Sequence, residues 1–220
     1  MSVKTVIVIG ETGTLKACQI ASLKAQGHKV IEFDADVKAV DLNACRDLIE
    51  GELRVIFTPY MHDEMALLDA DTSALIAMVG KKTKAFLTQA QAALQLLMGR
   101  GGGQFWVADF DDSFAYHLET PCAPICAQAR AGAVRSLAKE YSRMKISVNS
   151  MLVQPVSDPS TASMFRKASA ELKSYAMRYK PNDAGAVADM LTDFVGTGKL
   201  QFSGNIIGTG TGIVQGHLTS

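Results

Sequence analysis

Two glycines, a lysine and an aspartate mark the first place where this sequence can do chemistry. The apolar run Val6-Ile7-Val8-Ile9 leads into Gly10-Glu11-Thr12-Gly13-Thr14-Leu15-Lys16. A buried strand that ends in spaced glycines and opens a helix offers backbone N–H groups to a phosphate. Such a turn uses three glycines: one for tightness, one for close approach of the ligand, one for helix packing. Gly10 and Gly13 fill two of these places, and Lys16 stands where another glycine is expected. A side chain of that length either blocks the loop or turns outward to meet a phosphate. Asp34 follows at the end of the next predicted strand. A carboxylate there bonds a ribose and repels a 2′-phosphate, which favours NAD over NADP. The alternative is that Gly10 and Gly13 only shape a turn.

Cys126 and Arg130 form the second group. They lie one helical turn apart near the start of a predicted helix. A helix N-terminus and a nearby guanidinium both favour thiolate, the nucleophilic form of cysteine. Against this stands the plain reading of Cys126 as a small buried helix residue. Tyr116 and His117 lie in the preceding loop, as packing or contact residues or as a displaced acid. Asp109, Asp111 and Asp112 cluster at the end of a predicted strand. They read as a solvated loop or, less simply, as metal ligands.

These residues need a scaffold, and the pattern supplies one. Strands are predicted at 3–9, 29–33, 54–57, 104–108, 146–153 and 204–207. Helices are predicted at 14–26, 42–49 with Asp41 as cap, 72–98 with a break near Gly80, 125–143, 162–177 and 184–195. Gly27 closes the first helix. Alternation of this kind predicts an α/β fold, a doubly wound parallel sheet with helices on both faces, in a single domain over 1–220.

Composition narrows the function classes. The chain has 220 residues, 48% hydrophobic and 20% charged, with 22 basic and 22 acidic residues. A neutral chain without a basic block is not expected to bind nucleic acid or an anionic membrane. The apolar run before Gly10 is too short for a signal-peptide core or a membrane span. The four cysteines form no CxxC pair and read as reduced thiols, so a cytoplasmic location is expected.

The sequence also resembles the short-chain dehydrogenase/reductase family over nearly its whole length. The opening from Val8 to Leu15 is similar to that family's glycine turn. Cys126-Ala-Gln-Ala-Arg130-Ala-Gly132, followed by Ile146-Ser-Val-Asn149, resembles its Tyr-x-x-x-Lys helix and the strand after it. Phe202-Ser-Gly-Asn-Ile-Ile207 resembles its last strand. Asp41-Leu42 is weakly similar to an Asp-Val pair that contacts adenine. The resemblance implies an NAD(P)-dependent oxidoreductase, but Cys126 replaces the proton-donating tyrosine and Arg130 the lysine. Ser113 stands thirteen residues before Cys126, at the family's serine spacing, although the strand ending places that serine nearer Phe110. The family's helix asparagine falls near Lys81, and its Asn-Asn-Ala-Gly turn is replaced by Thr58-Pro59-Tyr60. The resemblance therefore implies a family member that has lost its standard catalytic set. Three readings follow: a non-catalytic structural or regulatory subunit paired with an active relative, an NAD(H)-dependent oxidoreductase with a non-standard site, or a dinucleotide sensor. The family pairs subunits through its two long helices, which implies a homo- or hetero-oligomer here.

Overall fold

The computed structural model describes residues 4–59, 62–111, 121–157, 162–167, 181–196 and 202–210. In chain order they form β1 (Lys4–Gly10), α1 (Thr14–Ala25), β2 (Lys29–Phe33), α2 (Ala39–Ala44), β3 (Glu52–Thr58), α3 (Glu64–Ala70) and α4 (Thr72–Gly99). Then come β4 (Gly103–Phe110), α5 (Pro124–Tyr141), β5 (Ile146–Val153), α6 (Ala184–Gly196) and β6 (Ile206–Gly208). The six strands lie in the order β2-β1-β3-β4-β5-β6, and every neighbouring pair is parallel. The sheet is doubly wound: the chain steps outward from β1 to β2, then crosses back to β3 and continues to the other edge. Ligands bind such sheets at this reversal, beyond the carboxyl ends of the strands.

The central strands β1, β3 and β4 carry continuous apolar runs because both faces are covered. All seven residues of β1 are buried. Side chains alternate between the faces, as strand geometry demands. Ile7, Ile9, Val55, Phe57, Phe105 and Val148 pack with Leu42 of α2, Phe86 and Leu94 of α4 and Val134 of α5. Val6, Val8, Ile56, Trp106 and Met151 pack on the opposite face with Leu15 and Leu23 of α1 and Val187 and Leu191 of α6.

Several expectations need correction. α4 runs unbroken through Gly80. A glycine inside a long helix costs only about 1 kcal/mol, and the buried apolar face beyond it outweighs that. Asp41 is not a cap: α2 begins earlier, Lys38 holds the N-cap position without a side-chain bond, and Asp41 lies in the first turn. α3 was not foreseen. Its cap is Asp63, whose carboxylate accepts from the Met65 and Ala66 amides at 3.1 Å. Asp109 does not sit in a solvated loop but inside β4, 2% exposed. Among the described residues no helix is long and apolar enough to cross a membrane.

Gly10 shows why the strand tips are so close. It pairs with Thr58 of β3, and a Cβ there would stand 2.7 Å from the Thr58 carbonyl oxygen and 2.8 Å from its Cβ. Gly10→Ala is therefore expected to destabilise the chain by about 2 kcal/mol, the usual scale of overpacking in a tight core. The midpoint of urea unfolding checks this; an unchanged midpoint would show that the strands can part freely.

Candidate functional site

The glycine turn forms as a strand-to-helix junction. Gly13, with extended backbone, is the N-cap of α1, and no side chain caps the helix. The Gly13 carbonyl accepts from the Ala17 amide at 3.0 Å. A Cβ on Gly13 would meet nothing within 4 Å, so its outer side is open. The two glycines thus do different work. Gly10 lets β1 and β3 meet, whereas Gly13 faces free space.

Lys16 takes neither of the two expected courses in full. Its side chain does not turn out to solvent; the residue is 6% exposed. The ammonium donates to the Gly10 carbonyl at 2.7 Å and to the Phe33 carbonyl at 2.8 Å, and stands 3.8 Å from Asp34 Oδ1. It therefore bridges the carboxyl ends of β1 and β2. Strand ends leave carbonyls that need donors, and Lys16 supplies them from the place where a glycine would leave room. A cleft of about 250 Å³ remains beside it, lined by Thr12, Gly13, Ala17, Phe33 and Asp34 among others. That is below the common range of roughly 300–1,000 Å³ for small-molecule sites. The Asp34 side chain is 76% exposed at its mouth. Asp41, exposed on α2, is not among the residues lining the cleft.

The second group is brought together around the start of α5. Cys126 is 1% exposed in the first turn of α5. Glu64, at the start of α3, is fully buried and reaches across to this helix end. Its carboxylate accepts from the Ile125 amide at 2.6 Å and the Cys126 amide at 3.1 Å. A buried anion at a helix N-terminus satisfies amides that have no partner inside the helix and lies favourably in the helix dipole. His62 Nε2 lies 3.1 Å from the same carboxylate. Burial pushes the Cys126 thiol up to about 11, and the hydrogen bond and charge of Glu64 push the same way, against Arg130 and a Thr83 hydrogen bond. The thiolate expected from the helix end and Arg130 is thus not the neutral-pH form. The helix end is occupied by Glu64, and burial outweighs the guanidinium.

Arg130 is also engaged. Its Nε and one terminal nitrogen donate to Asp109 Oδ2 and Oδ1, both at 2.7 Å. Side-chain exposure is 8% for Arg130 and 2% for Asp109. Such a two-pronged contact fits a planar guanidinium and not an ammonium. It locks α5 to β4. Asp111, the next acidic residue, accepts from Gln154 Nε2 at 3.2 Å.

Ser113, Asp112, Tyr116 and His117 lie outside the described residues, as does Tyr60. The sequence reading missed His62 and Glu64. The available signal was local, Asp63 as a cap followed by Glu64 in the first turn, but nothing nearby in sequence points Glu64 at α5.

A family dinucleotide fits this arrangement poorly. Gly13 leaves an open approach, and Asp34 lines the cleft beside it. However, Lys16 is turned in against the Gly10 and Phe33 carbonyls, and the Arg130 guanidinium, which the resemblance sets in the place of a lysine, is held by Asp109.

No family model and no curated protein matches the sequence. Solved structures do match. An oxidoreductase of the short chain dehydrogenase/reductase family from Burkholderia thailandensis is 17% identical, over 94% of this chain and 91% of that one, with a TM-score of 0.69. The enoyl-acyl carrier protein reductase of Bacillus cereus, solved with NADP+, is 16% identical over 96% of both chains, with a TM-score of 0.69. A short chain oxidoreductase from Pseudomonas aeruginosa PAO1, described as containing an atypical catalytic center, is 14% identical over 96% of this chain and 97% of that one, at 0.68. Likeness at these identities, with six parallel strands in this order, gives the chain the Rossmann-type fold of the short-chain dehydrogenases/reductases.

Proposed function

We propose that this chain performs no carbonyl reduction of its own and serves as a structural or regulatory subunit, paired with a catalytically active protein of the same fold. The observation that carries this reading is the buried Arg130–Asp109 fork. A cation that is to hold a ribose and tune a proton donor must face the cleft, and this one is spent inside the molecule. The neighbouring Cys126 thiol is buried, and a general acid must reach its substrate before its pKa matters. Lys16 adds to the argument by closing the strand ends where the pyrophosphate would approach. The partner surface would lie on α4 and α5. Most apolar residues of the second half of α4 are covered within the chain, but Ile76 and Leu87 are 68% and 45% exposed. They are eleven residues apart, which is three helical turns and hence one face.

A second reading, a dinucleotide sensor, draws on the cleft between Gly13 and Asp34. The Bacillus cereus reductase holds NADP+; Asp34 here would favour NAD, since a carboxylate repels a 2′-phosphate. Calorimetric titration with NADH and NADPH, joined to a turnover assay over a panel of ketones and aldehydes, separates the readings. The subunit reading expects no turnover and no binding below millimolar cofactor. Binding of NADH without turnover would favour the sensor, and turnover by the purified chain would overturn both. Lys16→Gly is expected to tighten NADH binding tenfold or more, because it returns the space of the third glycine.

A further inference from the structure

We propose that His62, Glu64 and Cys126 form a binding site for one borderline-soft divalent cation such as Zn2+. The site lies between the start of α3 and the first turn of α5. One ligand atom from each residue lies within 4.8 Å of the others. The His62 nitrogen and the Glu64 oxygen are already 3.1 Å apart. Zinc bond lengths of about 2.0–2.3 Å put tetrahedral ligands about 3.3–3.7 Å from one another, so one pair is nearly placed and the sulfur needs only a small approach. Nitrogen, oxygen and sulfur donors together suit Zn2+ and not Mg2+ or Ca2+, which take oxygen. Three protein ligands leave one coordination position open.

Charge gives an independent reason. The Glu64 side chain is fully buried, and among the described residues no lysine or arginine pairs with it. Two amides and the end of α5 stabilise it, and the nearby guanidinium is already committed to Asp109. Buried charge is costly unless balanced. A divalent cation held by one carboxylate and one thiolate makes a neutral unit. On binding, the Cys126 sulfur bonds the metal and its proton passes to solvent; no electrons are transferred. The Glu64 oxygens keep their amide bonds, since each oxygen has a second lone pair. The site does not depend on a dinucleotide or on the subunit reading above.

Cobalt is the test probe, because a thiolate bound to Co2+ gives a near-ultraviolet charge-transfer band and a tetrahedral site gives intense visible bands. The full chain, stripped with a chelator, is titrated with Co2+ and then with Zn2+. Expected are one equivalent of Co2+, a charge-transfer band, and its loss when Zn2+ displaces the cobalt. Cys126→Ser is expected to abolish the band, and His62→Gln to weaken binding tenfold or more. Neither variant removes the Glu64 carboxylate that supports α5, and circular dichroism verifies the fold. Absence of a band at micromolar protein with excess Co2+ overturns the proposal. So does a band that persists in folded Cys126→Ser, which would assign it to Cys18, Cys45 or Cys122.

Discussion

Asp109→Ala is expected to cost the fold about 3–5 kcal/mol, the usual penalty for stranding one partner of a buried ion pair. For a chain of 220 residues, that is a fall in melting temperature of roughly 6–20 °C. The reason is the company Arg130 keeps. Both prongs of its guanidinium end on Asp109, and both side chains are nearly inaccessible. Without the carboxylate, a cation stays buried with no counter-charge between α5 and β4. The Asp109→Leu, Arg130→Met double variant should recover most of the loss, since apolar groups of similar volume replace buried pairs at little cost. Thermal unfolding followed by circular dichroism measures all three chains. A loss below 1 kcal/mol in Asp109→Ala would mean that Arg130 finds water or another acceptor, and the fork would no longer support the proposed subunit role.

Glu64→Ala carries the second large effect, about 3 kcal/mol. It leaves the Ile125 and Cys126 amides without their acceptor, and each unsatisfied buried amide costs about 1–3 kcal/mol. It also removes the negative charge from the end of an 18-residue helix. Glu64→Gln keeps one acceptor oxygen and is expected to lose roughly half as much. Hydrogen exchange gives the local readout: the Ile125 and Cys126 amides should exchange faster in Glu64→Ala, with those in the middle of β1 least affected. Equal acceleration throughout would reduce the effect to global unfolding and would speak against a specific cap.

Fold and site differ in how far they could be read from the residues. Periodicity located β2 and β5 at their observed ends, because each is a short segment rich in apolar and β-branched residues that starts just after a turn. It placed α1 to within a residue because Gly27, with φ +79°, stops it. A break in α4 was expected because a glycine weighs heavily in a local reading, whereas burial of Phe86, Leu94 and Leu97 by the sheet decides the matter. The site was legible as a set of positions but not as a set of partners. Arg130 and Asp109 each stand out in the sequence for their chemistry, yet they are 21 residues apart, and only the β4–α5 packing joins them. Glu64 and Cys126 are 62 apart. Lys16 stands out in the sequence as a long side chain where a glycine is expected; that it turns inward to the Gly10 and Phe33 carbonyls depends on where β2 ends.

The sheet order has a consequence for how the chain comes together during synthesis. Residues 4–58 contain β2, β1 and β3, which are three adjacent strands of the finished sheet. This unit can pair while later parts are still being made. Past it, β4, β5 and β6 each join the edge that the preceding strand has just created. Assembly on the ribosome can thus be vectorial, each new strand meeting a ready template. A chain refolding from denaturant has no such sequence of arrivals. It must close all its parallel crossovers from a common start, which is slow and leaves strand edges open to other molecules. Refolding from denaturant is therefore expected to give a higher yield at high dilution.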